Sequence, residues 1–201
     1  MNHLAHFYLS GKNPEITLGN FITDYIRKKH ESDYSEPIQL GIRLHREIDQ
    51  FTDRHPLVKG CLGRLRPYQQ KYSPVVLDIC FDHLLAKNWE TFDKRSLTAY
   101  TQEIYALLTE HKDQLPENLG RSLKGMIEGD WLNSFRTKKG LAYTFSLLRR
   151  RVRFQNRLDE AVDDFYRDLD FYNANFLSFF TELNDHCIDW RAANLRNGEK
   201  E

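Results

Sequence analysis

Apolar residues recur along almost the whole chain three and four positions apart, the spacing of a helix face, and no alternating strand-like run interrupts them. The pattern predicts a first short helix over His3–Leu9, stopped by the Gly11–Pro14 stretch. A second helix is predicted from about Thr17 to about His30, with Leu18, Phe21, Ile22 and Tyr25 on its buried side. Ser35 and Pro37 have the form of an N-cap and an early helical proline, and the helix they open carries Ile38, Ile42, His45, Ile48 and Asp49 to near Asp53. His55-Pro56 opens a further segment. Ser73-Pro74 opens another, with Val75, Val76, Ile79, Cys80, His83 and Leu84 running to about Trp89. Asp93 reads as the cap of a helix with Leu97, Tyr100, Ile104, Leu107 and Leu108 inward. Pro116-Glu117 begins the next, Gly140 precedes one with Leu141, Phe145, Leu148 and Val152, and a long last helical region carries Leu158 to Phe180. The polar residues after about Arg196 are expected to fray. Helices joined by short loops throughout predict an all-α, single-domain helical bundle over residues 1–201.

Composition sharpens this by exclusion. A chain of 201 residues with 40% hydrophobic and 13% aromatic residues buries a core without covalent staples. Lysine plus arginine and aspartate plus glutamate number 29 each, so no net basic field favours nucleic acid as an obligatory partner. Cys61, Cys80 and Cys187 are too few and too widely spaced for a disulfide framework or a CxxC zinc site, which leaves them as packing residues and fits a reducing cytoplasm. The first residues lack the form of a secretory signal, and no apolar stretch approaches the roughly 20 residues of a membrane span, so no membrane is expected as a partner.

Four stretches place ligand-type side chains among apolar ones: Asn2-His3-Leu4-Ala5-His6, Gly19-Asn20 through Asp24, His45-Arg46-Glu47-Ile48-Asp49 with Asp53, and Asp78 through Asp82-His83. On a helix His45 and Asp49 project from one face a turn apart, as do Asp78 and Asp82, while His83 lies about 100 degrees round from Asp82. Two such helices facing each other, with Asp24 from a third, can offer imidazole and carboxylate to one ion. Mixed nitrogen and oxygen donors suit Mn²⁺, Fe²⁺, Mg²⁺ or Zn²⁺ better than Ca²⁺. The plainer readings stand beside this one. Asp49 and Asp53 can pair with Arg46 and Arg54 on a solvated face, His6 can be a packed histidine with one hydrogen bond, and Asp53 can simply end a helix. Asp82-His83 is the most pointed feature, because burying an unpaired charge in so apolar a helix is costly. No GxSxG elbow, Walker A loop or GxGxxG is present.

At these same stretches the chain resembles the acyl carrier protein phosphodiesterases, also called acyl carrier protein hydrolyases. The likeness is carried by Met1 to His6, Gly19-Asn20 with Asp24, His45 to Asp49 with Thr52-Asp53 and His55-Pro56, Leu77-Asp78, Asp82-His83-Leu84 and Trp89, and more thinly by Leu169-Asp170-Phe171-Tyr172. The resemblance implies hydrolysis of the phosphodiester that joins 4′-phosphopantetheine to a serine of holo-acyl carrier protein. It also implies a divalent cation, typically Mn²⁺, with Mg²⁺ and Fe²⁺ compatible, and an HD-domain-like helical fold. The HD signature is an adjacent His then Asp; here the adjacent pair runs Asp82 then His83. The metal set implied is Asp24, His45, Asp82 and His83, with Asp49, Asp78 and His6 as further ligands or catalytic neighbours and Arg46 on the phosphate or in an ion pair with Glu47 or Asp49. The acidic carrier protein calls for a cationic face. Arg27-Lys28-Lys29, one turn past Asp24, is the best placed; Arg64 with Arg66, Lys138-Lys139, and Arg149 to Arg151 with Arg153 are others. Two alternatives stay open: a metal phosphohydrolase for a nucleotide or other small phosphoester, and a non-catalytic helical binding protein.

Overall fold

A computed structural model describes residues 1–197, in which helices and their connecting turns account for the whole architecture and no strand occurs among the described residues. Beyond Asn197 the tail expected to fray lies outside the described residues. The helices are α1 (His3–Leu9), α2 (Pro14–Ile22), α3 (Glu36–Arg54), α4 (Pro56–Gln69), α5 (Ser73–Lys87), α6 (Trp89–Phe92), α7 (Leu97–Glu110), α8 (Gly120–Glu128), α9 (Trp131–Ser134), α10 (Lys138–Arg151), α11 (Ala161–Tyr166) and α12 (Leu169–Asn197).

Starts and stops follow local chemistry. Asn13 accepts the amides of Glu15 and Ile16 while Pro14 takes the first helical position, so the Gly11–Pro14 stretch ends α1 and also launches α2, three residues before the predicted start. Gly11 supplies the left-handed turn between them, with φ of 78°. The second helix is shorter than the pattern predicts. It stops at Ile22, and the chain continues through 3₁₀ turns at Thr23–Tyr25 and Lys28–Asp33. Ser35-Pro37 and Ser73-Pro74 mark the starts of α3 and α5 as expected. Ser96, which accepts the Ala99 amide, caps α7 in place of Asp93, whose carboxylate instead holds the Arg95 guanidinium. Thr137 caps α10, so Gly140 lies inside that helix. The long last region is broken into a 3₁₀ turn, α11 and α12.

One apolar core runs through the bundle. Helix α5 is its axis, buried on nearly every side from Val76 to Ala86, with α1, α4, α10 and α12 packed around it. Phe81 meets Phe176 and Phe179 of α12 in tilted ring contacts, and Phe165 stacks on Tyr172. Cys61, Cys80 and Cys187 are buried free thiols within this packing.

The most extensive contact between two helices joins α2 to α3. They touch backbone to backbone, because Gly19 and Gly41 meet at the crossing. A Cβ on Gly19 would stand 1.9 Å from the Ile38 carbonyl oxygen, and one on Gly41 would stand 2.2 Å from that of Ile16. Neither obstacle is a flexible side chain that can yield. Gly19→Ala and Gly41→Ala are therefore each expected to destabilise the protein by about 2–3 kcal/mol, at the upper end of ordinary overpacking. Thermal and urea unfolding monitored by circular dichroism would read this; unfolding curves superimposable on the parent's would contradict so tight a crossing.

Candidate metal centre

His6 on α1 and His45 on α3 lie with their rings stacked, centroids 4.2 Å apart and planes inclined by 16°. Asn20 on α2, 1% exposed, holds both. Its Nδ2 donates to the His6 carbonyl at 3.0 Å and to Ser10 Oγ at 2.9 Å, which fixes the opposite end of the amide as oxygen. That oxygen lies 2.8 Å from His6 Nδ1 and 3.1 Å from His45 Nδ1, and the Asn20 backbone carbonyl lies 2.8 Å from His45 Nδ1. Carbonyl oxygens only accept, so both Nδ1 atoms carry hydrogen and donate.

The Nε2 atoms then face carboxylates. His6 Nε2 is 3.4 Å from Asp49 Oδ1, and His45 Nε2 is 3.3 Å from Asp49 Oδ2 and 3.4 Å from Asp24 Oδ1. A neutral imidazole protonated at Nδ1 would point its Nε2 lone pair at negative oxygen. The arrangement is favourable only with positive charge in between, either a proton or a metal ion. Without a metal, His45 takes the proton. Burial pulls its pKa down, but the hydrogen bonds and charges of Asp24 and Asp49 outweigh burial and lift it to about 9. Burial likewise pushes Asp49 up and is outweighed by His45 and His6, which hold it well below the usual carboxylate range. Asp24 is lowered, chiefly by its bond to His45, and His6 is lowered by burial.

Donor atoms of His6, His45 and Asp49 all lie within 4.8 Å of one another, close enough to hold one ion, and Asp24 adds a fourth donor beside His45. Two imidazoles held by acceptors at Nδ1, with carboxylates opposite, are the donor set and outer support that first-row divalent ions take. Asp49 and Asp24 are partly open to solvent while both histidines are buried, so the cluster is reached from its carboxylate side. His3 packs beside Tyr25, the residue after Asp24. Its Nε2 is 3.3 Å from the Tyr25 hydroxyl, its ring meets Trp131 edge-on, and burial keeps it neutral with a pKa of about 4.

The structure brings together Asp24, His45, Asp49 and His6, and sets Asp78 at the rim, where its Oδ1 is 3.3 Å from the Met1 nitrogen that also approaches Asp49. Asp24 reaches His45 from the 3₁₀ turn that ends α2, not from mid-helix. Asp82 and His83 do not join the cluster. Asp82 is 0% exposed and serves as the N-terminal cap of α1, accepting the Leu4 amide at 2.8 Å and the Ala5 amide at 3.1 Å. Burial raises its pKa to about 7, those two amides pulling the other way. His83, a third of a turn round α5, faces away from the cluster, with its Nδ1 2.6 Å from the Phe135 carbonyl and its Nε2 2.9 Å from the Tyr166 hydroxyl. The expected meeting of His45 with His83 fails because neighbouring helical residues diverge by about 100 degrees. Arg46 is exposed and pairs with Glu31, and Arg27, Lys28 and Lys29 are exposed past the Asp24 turn. Asn20 is the residue that the spacing argument passed over. A lone amide buried in an apolar helix four residues before Asp24 was its one signal.

A family model described as acyl carrier protein phosphodiesterase matches residues 1–183. Among curated relatives, a protein of Photorhabdus laumondii is 28% identical over 190 residues, covering 94% of each chain. One of Escherichia coli O45:K1 is 30% identical over 197 residues, covering 93% of this chain and 97% of its own. One of Serratia proteamaculans is 30% identical over 137 residues, covering 67% of this chain and 70% of its own. All three bear the name acyl carrier protein phosphodiesterase. No solved structure matches the chain.

Three substitutions separate the roles just described. Asn20→Ala frees both imidazoles and is expected to weaken Mn²⁺ binding by roughly 10–100-fold, the usual loss for an outer-shell partner. Asp82→Asn keeps a carbonyl oxygen for the α1 amides and should leave Mn²⁺ affinity within about twofold, while Asp82→Ala orphans two buried amides and should cost about 2–4 kcal/mol of stability. Calorimetric metal titration and urea unfolding read both, and loss of metal from the folded Asp82→Asn protein would move Asp82 back among the ligands.

Proposed function

The chain belongs to the acyl carrier protein phosphodiesterase family, and from that premise we propose that it hydrolyses the phosphodiester joining 4′-phosphopantetheine to serine of holo-acyl carrier protein, releasing apo-acyl carrier protein and 4′-phosphopantetheine. The observation that carries the reading is the pair of Nδ1-locked histidines whose Nε2 atoms converge on Asp49 and Asp24, a site that calls for a divalent cation. Manganese is the proposed ion, with magnesium and iron(II) compatible with the same donors, held by His6, His45, Asp49 and Asp24. When bound, such an ion polarises a phosphoryl oxygen and makes water nucleophilic at neutral pH.

The chain's own residues supply the rest. Asn20 orients both imidazoles. Asp78, partly exposed at the rim beside Asp49, is placed to take a proton from the attacking water. Asp82 acts one step back, anchoring the helix that carries His6, and His83 braces α5 against Tyr166 and the Phe135 carbonyl. The exposed Arg27-Lys28-Lys29 segment just past Asp24 favours an acidic protein, and Arg46, next to His45 and paired with Glu31, is the candidate for the phosphate. Next to Tyr25 opens a cavity of about 840 Å³ lined by Ile26, Arg27, Tyr34, Ile38 and Leu115, of a size and mixed polarity suited to the pantetheine arm. A cytoplasmic setting fits three buried free thiols.

Incubation of the purified protein with holo-acyl carrier protein and Mn²⁺ is expected to remove a phosphopantetheinyl group, seen as the corresponding mass loss of the carrier. His45→Asn and Asp49→Asn remove groups nearer the ion than the outer-shell partners whose loss already costs 10–100-fold, so each should lower turnover by at least about 100-fold. An intact carrier with every divalent ion tried, or undiminished turnover in both variants, would refute the proposal.

A further inference from the structure

Seven arginines of the chain are neutralised by neighbouring carboxylates. Arg43 pairs with Glu36, Arg46 with Glu31, Arg64 with Asp168, Arg95 with Asp93 and Glu103, Arg149 with Asp159, Arg157 with Glu160, and Arg167 with Asp164. Arg150, Arg151 and Arg153, at and just past the C-terminus of α10, are exposed, and no described carboxylate lies within ion-pair distance of them. Cations in a last helical turn stabilise the helix by complementing its dipole, but Arg149 already stands there with an acidic partner, and Arg153 lies beyond the helix.

These cations are interleaved with exposed apolar side chains. Tyr143 is 58% exposed and Phe154 is 71% exposed, the most open large apolar residue among those described. Tyr143, Leu147 and Arg150 follow one another at helical spacing along a single outward stripe of α10, and Phe154 continues it past the helix end. The Lys71 ammonium, 4.6 Å above the Phe154 ring, adds a further positive charge.

Another face of α10 is linked towards the metal centre by a chain of contacts. Thr144 accepts the Trp131 indole N–H at 3.0 Å, Trp131 lies edge-on to His3, and His3 meets the Tyr25 hydroxyl. Arg151 stands seven residues after Thr144, two turns along the same face of α10. Arg27 lies two residues along from Tyr25 and is exposed as well.

We infer that the C-terminal end of α10 and the loop after it, with Arg150, Arg151, Arg153 and Phe154, form the docking surface for an acidic helical protein whose modified serine is thereby presented at the metal centre. The inference rests on the carrier-protein reading above. A partner helix with carboxylates at its rim and an apolar stripe matches the alternation of arginine with Tyr143, Leu147 and Phe154. Nucleic acid lacks that apolar stripe, and a lipid surface has no reason to dock beside the reaction centre.

The test compares Arg150→Glu/Arg153→Glu and Phe154→Ala with the unaltered Mn²⁺-loaded protein on holo-acyl carrier protein over a range of salt, and on bis(p-nitrophenyl) phosphate. The double variant is expected to raise KM for the carrier by about tenfold and flatten its salt dependence, with kcat and small-diester hydrolysis within about twofold. Phe154→Ala is expected to raise KM by about threefold with the salt dependence retained. Should the reversed charges lower the melting temperature, Arg150→Gln/Arg153→Gln keeps the test and should raise KM by about threefold. Unchanged KM and salt dependence while the carrier is still cleaved would overturn the docking surface and leave the activity standing. No cleavage by the unaltered protein, together with arginine-dependent binding of apo-acyl carrier protein, would overturn the activity and leave the surface standing. Arginine-dependent binding to phosphatidylglycerol vesicles with no effect on the carrier would reassign the surface to a membrane.

Discussion

Everything at the metal centre depends on how closely α2 approaches α3. With glycine on both sides of the crossing, the two backbones touch, and Asn20, the residue after Gly19, comes within one hydrogen bond of His45. The same amide reaches across to α1, where it receives His6 Nδ1–H and donates to the His6 carbonyl. Three helices therefore share one buried hydrogen-bond hub, and the hub leaves the two Nε2 atoms facing the same carboxylates. A wider crossing would break the bonds that give the His45 ring its tautomer and part it from His6, even with every candidate ligand present.

Much of the helical framework was legible along the chain. The first helix runs over the residues its apolar pattern marks, and the Ser-Pro steps before α3 and α5 start helices as their chemistry dictates. The departures have a common cause: local pattern does not encode which tertiary partner claims a side chain. Asp93 has the right type for a cap but is taken by Arg95, which leaves Ser96 to do the capping. The apolar positions up to Tyr25 look like one continuing helix, yet the chain tightens into a 3₁₀ turn after Ile22, and that turn brings Asp24 to His45.

The site divides along the same line. The four-residue step from His45 to Asp49 lies within one helix, so its geometry could be read directly. Asp82, a carboxylate in so apolar a helix, does need partners, and it finds them in the two free amides at the start of α1. His83 finds its own in a carbonyl and a tyrosine hydroxyl away from the cluster. Asn20 carries no signal of its importance until α1 and α3 are seen against it, because an amide becomes a hub only through what surrounds it.

The preference of the carboxylate pair for positive charge also makes hydrogen ions competitors for the same place. His45 retains its extra proton up to about pH 9 in the absence of metal, so any incoming cation must evict it. Apparent affinity for every such ion then declines by about tenfold for each pH unit below that value, and ions that bind imidazole weakly are the first to be shut out. Acidity thus empties this site of metal, because the ion and the proton need the same place between His45, Asp49 and Asp24.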